Sequence, residues 1–324
     1  MKPRTPTEDL DDRTNGGYLR TVATRASEYM RRSKATNTVR AYQSDWTHFK
    51  DWCNQHGKTA LPANSETVTL YLSDLAEDYK PSTLTRRIAS ISQVHRAAGH
   101  ETPTRDGNVR MVLAGIRRTR GRAQAAKTPV LVDELKRMVA RLPEGVLGIR
   151  DRALLLMGFS GAFRRSELVG LDRDAVEVVA DGLVVTIRRS KTDQEGWGRR
   201  IGIPYGRNPE SCPVGAFQAW VQTAAITKGP IFRPITSHGK ILGKRLSTNA
   251  VAEIVKRHVK EIGLDAAHFA GHSLRSGLAT AAAMTGASER AIMDQTGHHS
   301  AVMVRRYIRD ASLFKNNVVS GLGL

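Results

Sequence analysis

The sequence predicts a mainly α-helical chain in two parts. An N-terminal bundle of four or five helices precedes a C-terminal α+β domain with a small antiparallel three-stranded sheet. Three observations predict it. Apolar residues recur at steps of three and four through the first third of the chain, as in helices with one buried face. A basic, small-residue segment at 117–128 breaks that pattern and ends at Pro129. β-rich segments lie only between residues 175 and 203, after which helical spacing resumes. A length of 324 residues suits about two domains.

Residues 1–17 are polar and read as a flexible arm. Leu19 to Arg32 adds a first helix. Val39, Tyr42, Trp46, Phe49 and Trp52 then form an apolar stripe, with Gly57 placed to end it. Ser65-Glu66 reads as an N-cap ahead of Val68, Leu72 and Leu75. Pro81 suits the first turn of a helix striped by Leu84, Ile88, Ile91 and Val94. Val109, Val112 and Ile116 close a bundle spanning 18–116. Past the 117–128 linker, helices are expected near 132–142 and 149–159, strands near 175–179, 183–189 and 199–203, and helices again near 214–223 and 248–262. The second domain is placed at 129–312, with a short apolar tail at 313–324.

Lys and Arg number 50 against 31 Asp and Glu, a formal surplus of +19 that falls on both parts of the chain. Such a surplus on a folded chain points to a polyanion, either nucleic acid or an anionic membrane surface. The membrane reading fares badly. No apolar run reaches the ~18 residues of a spanning helix, and the polar N-terminus carries no secretion signal. Two cysteines, Cys53 and Cys212, are too few for a disulfide framework or a metal cluster and read as buried thiols. A hydrophobic content of 40% excludes general disorder. A cytoplasmic protein that meets DNA or RNA is the expectation.

Four segments gather groups suited to holding a phosphate and moving protons. They are Arg164-Arg165-Ser166-Glu167-Leu168; Lys191, in the turn after the second strand; His272-Ser273-Leu274-Arg275; and Gly297-His298, followed nine positions after the histidine by Tyr307. Singly, each has an ordinary reading. Two arginines at a helix start are surface charge, and a turn lysine is solvated. His-x-x-Arg is a structural pair on one helix face, and Tyr307, among Met303, Val304 and Ile308, is a core aromatic with a wet hydroxyl. Together, in this order and spacing, they resemble the active-site pattern of the tyrosine recombinase (phage integrase) family.

The resemblance covers most of the chain. The family's Arg-x-Ser-Glu-Leu box falls on Arg164 to Leu168, its β-hairpin lysine on Lys191, its His-x-x-Arg on His272 and Arg275, its Gly-His box on Gly297-His298 and its tyrosine on Tyr307. The first part resembles the family's core-binding domain through Thr38 to Tyr42 and Ser82 to Leu84. The family joins that domain to a catalytic domain by a basic linker and closes both around DNA. With no separate arm-site domain, the chain is similar to the simple Cre or Xer type. Two departures stand out. Gly161-Ala162-Phe163 replaces the usual Thr-Gly-Leu. Also, His298 agrees with most of the family but not with Cre, which has tryptophan there, whereas Lys244 to His272 and Tyr307-Ile308-Arg309 resemble Cre, so the subtype stays open.

The resemblance implies a chemistry. Arg164 and Arg275 would clamp the scissile phosphate, since guanidinium forks are always charged and can bind two oxygens at once. Preorganised donors at those oxygens are the strongest lever on the transition state. His298 would donate a further hydrogen bond. Tyr307 would be the nucleophile, and with a phenol pKa of about 10 it needs activation. His272 is the candidate base or relay. Lys191 would protonate the leaving 5′-oxygen. Glu167, one helical turn after Arg164, would hold an arginine or the histidine, or would merely cap the helix. A 3′-phosphotyrosine intermediate would keep the bond energy, so strands rejoin through a Holliday junction without ATP. No cofactor or metal is expected, and adjacent His298 and His299 make a poor metal pair. The implied partner is double-stranded DNA with inverted-repeat sites, two of them held by a homotetramer through the 313–324 tails.

Backbone contacts to DNA are expected from Arg86, Arg87, Arg117, Arg118, Arg120, Arg122, Lys244 and Arg245, and are weighed for Lys240 and Lys256-Arg257-His258, against their reading as solvated charge. Two alternatives share the fold. One is a type IB topoisomerase or telomere resolvase with the same cleavage step. The other is a non-catalytic DNA-binding protein, which would require no tyrosine at position 307.

Overall fold

The computed structural model describes residues 36–121, 127–188, 198–298 and 300–311, with a few isolated positions near the two ends. Two compact units divide the chain, residues 1–125 and 126–324.

In the first unit, α1 (Thr36–Gln55), α2 (Ser65–Asp74), α3 (Pro81–Ala97) and α4 (Gly107–Arg120) surround one apolar core. Phe49, Val68, Leu72, Leu84, Ile91 and Val109 lie inside it, as the stripes predict, and Tyr71 joins them. Burying each such side chain contributes roughly 1.5–3 kcal/mol. Of the helix expected at 19–32, only Val22, Thr24 and Arg25 are described, each helical. Gly57 ends α1 as expected. It takes φ +63°, and the Lys58 N–H reaches back 2.8 Å to the Cys53 carbonyl. The cap of α2 lies one residue before the expected Ser65: Asn64 accepts from the Thr67 N–H at 2.8 Å, which leaves Ser65 inside the helix. Helix α4 runs on to Arg120. Arg117, Arg118 and Arg120, read as the start of a linker, therefore form its last turn, where basic side chains suit the helix dipole.

Arg87 also departs from expectation. It is 5% exposed, donates to the Tyr71 hydroxyl and lies 4.3 Å over the Tyr79 ring. Tyr71, its phenol pushed up to about 12 chiefly by burial, passes the hydrogen bond on to His48 Nδ1 at 3.0 Å. Arg87 belongs to the interior of the bundle, not to a DNA-facing surface.

The second unit opens with α5 (Val132–Ala140), α6 (Val146–Ser160) and α7 (Arg165–Gly170). A sheet of β1 (Val176–Val179), β2 (Gly182–Ile187) and β3 (Arg199–Pro204) follows, and then α8 (Pro213–Thr223), α9 (Thr248–Glu261), α10 (His272–Met284), α11 (Glu289–Thr296) and α12 (Ala301–Ala311). The sheet is antiparallel in the order β1-β2-β3, with Val176 opposite Val185 and Ile187 opposite Arg199. Helix α6 is buried on nearly every side through Leu154, Leu155, Leu156, Met157 and Phe159, and α8 and α10 pack against it. At its buried Asp151, Arg150 and His258 donate or bond at 2.5 and 2.9 Å, and Arg257 stands 3.6 Å away. His258, 2% exposed, is thus committed to the fold, whereas the Arg257 side chain is 45% exposed. A smaller cluster of Ala279, Ile292 and Val304 packs with Tyr307 and Ile308 and seats α12 against α10 and α11. Both cysteines are buried thiols, as expected. No described helix is long and apolar enough to cross a membrane.

Candidate active site

From the end of α6 the chain turns through Gly161-Ala162-Phe163 into α7. Ala162 takes φ +46° and is fully buried. That backbone region costs an L-residue roughly 1–2 kcal/mol. The turn points the Ala162 carbonyl at Arg275, whose Nη1 donates to it at 2.7 Å. Arg164 follows as the N-cap of α7. Glu167 accepts from the Arg164 backbone N–H at 2.9 Å and from its Nη1 at 2.6 Å, with 1% of its side chain exposed. It both caps the helix and holds the arginine.

Arg275 sits on α10 and is 1% exposed. Its Nη2 lies 3.1 Å from His298 Nε2, and its buried Nε has no partner among the described residues. Burial first, then Arg164, lowers its pKa to about 10, while Glu167 and Tyr307 act in the opposite direction. A guanidinium can only donate, so His298 Nε2 accepts. The ring proton is therefore assigned to Nδ1, which donates to Thr296 Oγ1 at 2.7 Å, and that hydroxyl donates to the Ile292 carbonyl at 2.6 Å. Desolvation, reinforced by Arg275, Arg164, His272 and Arg199, pushes His298 down to about 4. The expected donation from His298 to a phosphate is thus reversed in the DNA-free chain, because Arg275 already claims the ring nitrogen as an acceptor.

Tyr307 is half-buried on α12, with its ring centre 6.1 Å from that of His298. It is at once a packing aromatic of the small cluster and a neighbour of Arg275. His272 is the first residue of α10. Its pKa is lowered by desolvation and then by Arg275, Arg164 and Arg165. The residue is nonetheless exposed, so its desolvation is partial, and the direction of the shift favours a neutral imidazole. The structure thus gathers Arg164, Glu167, His272, Arg275, His298 and Tyr307. Lys191 lies outside the described residues, in the connection between β2 and β3.

Arg199 escaped the sequence reading, which took it only as the start of a strand. Its Nη2 lies 3.3 Å from Glu167 Oε2 and its Nη1 donates to the Gln295 carbonyl at 3.0 Å. The signal was present. Residues 199, 201 and 203 share one strand face, and the other two are buried isoleucines. An arginine on a core face calls for a partner.

The expected DNA contacts divide. Arg118 and Lys244 are exposed, and Arg117 donates to Thr85 Oγ1 at 3.0 Å from the last turn of α4. Arg120 donates to the Glu77 carbonyl. Arg86 grips Asp45 through two bonds of 2.7 and 3.0 Å. Arg245 is spent on the Val169 and Leu171 carbonyls and on Asp172, the shortest at 2.6 Å, so it braces the fold. Arg122 lies outside the described residues.

A helical unit followed by an α+β unit with this arginine–histidine–tyrosine cluster has the organisation of an enzyme that transfers DNA strands. Comparison with known proteins agrees. The phage integrase family matches residues 130–313, and the phage integrase N-terminal SAM-like domain matches residues 27–102. An integrase/recombinase XerD homolog of Selenomonas ruminantium is 44% identical over 303 residues, 92% of this chain and 89% of the relative. The tyrosine recombinase XerD of Bifidobacterium longum is 27% identical over 293 residues, 85% of this chain and 87% of the relative. Among solved structures, the Tn1549 transposon integrase in complex with transposon right end DNA aligns with TM-score 0.60 at 14% identity, covering 92% of this chain and 98% of that one. A lambda integrase dimer bound to a core site aligns with TM-score 0.57 at 18% identity, with the same coverage. The chain belongs to the phage integrase family and is a tyrosine-type site-specific DNA recombinase.

Proposed function

We propose that Tyr307 attacks a DNA phosphate held by Arg164 and Arg275. A P–O bond forms to the phenol, the bond to the 5′-oxygen breaks, and a 3′-phosphotyrosine with a free 5′-hydroxyl results. The observation that carries this reading is the meeting of Tyr307 with the Arg275–His298 pair in one chain, at 6.1 Å between the aromatic rings. Three guanidiniums, of Arg164, Arg199 and Arg275, act on one carboxylate, that of Glu167. The local field is therefore short of negative charge, which a phosphate supplies. A phosphate that takes up Arg275 Nη2 frees His298 Nε2, and its charge favours a protonated ring that can donate to the phosphate in turn. Neutral His272 is suited to take the phenol proton. Lys191 delivers a proton to the departing 5′-oxygen in this reading. Attack of a 5′-hydroxyl from another strand reverses the step and rejoins the DNA, with no energy input because the phosphoester bond is conserved.

Exchange through a Holliday junction, by a homotetramer holding two inverted-repeat sites in the cytoplasm, completes the proposal. The DNA complexes among the solved neighbours, including XerH bound to a palindromic difH substrate, support a DNA partner of this kind. The test uses DNA fragments recovered by binding to the wild-type chain. Tyr307→Phe should bind them as tightly as wild type and form no denaturant-resistant protein–DNA adduct. An adduct persisting in the variant would assign the nucleophile elsewhere.

A further inference from the structure

We propose that Arg199 is a positioning residue of this site: it sets Arg164 and the His298 segment in one register and touches no DNA itself. The inference rests on the recombinase reading above and adds a residue outside the six that the sequence pattern supplies.

Arg199 is the first residue of β3, opposite Ile187, with only 20% of its side chain exposed. One end of its fork meets Glu167 Oε2 at 3.3 Å, while Glu167 Oε1 holds Arg164 Nη1 at 2.6 Å. The other end donates at 3.0 Å to the Gln295 carbonyl, three residues before His298. Between them stands Gly297 in the left-handed region at φ +66°. A Cβ there would lie 2.5 Å from Arg199 Nη1, so the guanidinium lies close against the loop and would have to shift for any larger residue. One planar group thus joins the start of α7 to the segment that carries the histidine.

The placement is costly. Burial lowers the pKa of Arg199, with Arg164 acting the same way, and its Nε is buried without a partner among the described residues. Ile201 and Ile203 show what the same face holds when packing alone is served. An arginine here is explained by what it ties together. It also shares the charge of Glu167. Without it, the whole carboxylate acts on Arg164 and holds that guanidinium back from a phosphate. A lysine retains the charge but, as a point donor, does not span both acceptors.

The experiment compares wild type, Arg199→Gln and Arg199→Lys as full chains on the fragments recovered above. DNA binding, melting and single-turnover adduct formation are measured, the last with an ordinary phosphate and with a neutral methylphosphonate at the cleavage point. Both variants should bind DNA within about twofold of wild type. Both should form adduct about 100-fold more slowly on the phosphate, the scale of a clamp displaced by an ångström. On the methylphosphonate, where one charge needs no clamping, the deficit relative to wild type should shrink to about tenfold. If Arg199→Gln melts below the assay temperature, Arg199→Lys carries the same comparison. An equal deficit on both substrates, or wild-type rates in Arg199→Lys, would overturn the inference. Absence of adduct from wild type itself would instead sink the recombinase reading.

Discussion

Replacing Glu167 with glutamine removes the carboxylate that, among the described residues, Arg164 and Arg199 bond directly and that acts on Arg275. The carboxylate is 1% exposed and accepts three hydrogen bonds, at 2.6 and 2.9 Å from Arg164 and 3.3 Å from Arg199. Glutamine has a single acceptor oxygen, so its NH2 group must confront at least one of those donors. Stripping a buried ion of its partner costs about 3–5 kcal/mol. The retained oxygen offsets about 1 kcal/mol, which leaves a loss of about 3 kcal/mol. For a unit of this size, about 2–4 °C per kcal/mol places the fall in Tm at about 6–12 °C. Urea titration and calorimetry measure it directly. Asp172→Asn is the control, because the Arg245–Asp172 pair is 38% and 39% exposed and its loss should cost under about 1 kcal/mol. Glu167→Gln proving no more costly than this control would refute the claim that the carboxylate organises the arginines.

Two further outcomes follow from the geometry. His298, held at about 4 against 6.5 in an unfolded chain, binds fewer protons in the folded than in the unfolded state between those values. Its contribution, at most about 3 kcal/mol, is whole above pH ~6.5 and declines as the pH falls toward 4. His298→Gln should flatten that part of a stability-against-pH curve. The same burial means that a phosphate, by reversing the local field, draws a proton onto the ring. Heats of DNA binding near pH 6 should differ between buffers of unlike ionisation enthalpy, and buffer-independent heats would count against the proton uptake. Ala162→Gly gives the second outcome. Relief of a left-handed alanine roughly balances the lost buried methyl and the freer unfolded chain, so stability should stay within about 1 kcal/mol of wild type. A loss above about 2 kcal/mol in urea would show that the turn is not strained.

Much of the fold was legible because its signals are local. The stripe of Val39 to Trp52, the proline opening α3 and the β-rich stretch before Pro204 each reflect a backbone period that the chain carries in itself. Boundaries were less legible. The cap of α2 moved to Asn64 and α4 ran through Arg120, because helix ends depend on single hydrogen bonds that several neighbouring residues can supply. Arginines were the hardest to read. Arg87, Arg199 and Arg245 look alike in a basic sequence, and each finds its role in partners distant along the chain: Tyr71, 16 residues away, the Gln295 carbonyl, 96 away, and the Val169 carbonyl, 76 away.

The sequence by itself determined the architecture, the basic charge that suits a DNA partner and the candidate side chains of the site, because periodicity, net charge and residue type are properties of the chain before it folds. Tertiary structure alone decided their states. It made His298 an acceptor, held neutral by burial and the nearby arginines with its tautomer fixed by Thr296, set Ala162 in a left-handed turn facing Arg275, and gave Arg199, a strand residue, bonds to Glu167 and the Gln295 carbonyl. The reason is physical: protonation, strain and hydrogen-bond direction follow from what surrounds a group in space, and those surroundings exist only once distant segments have packed together.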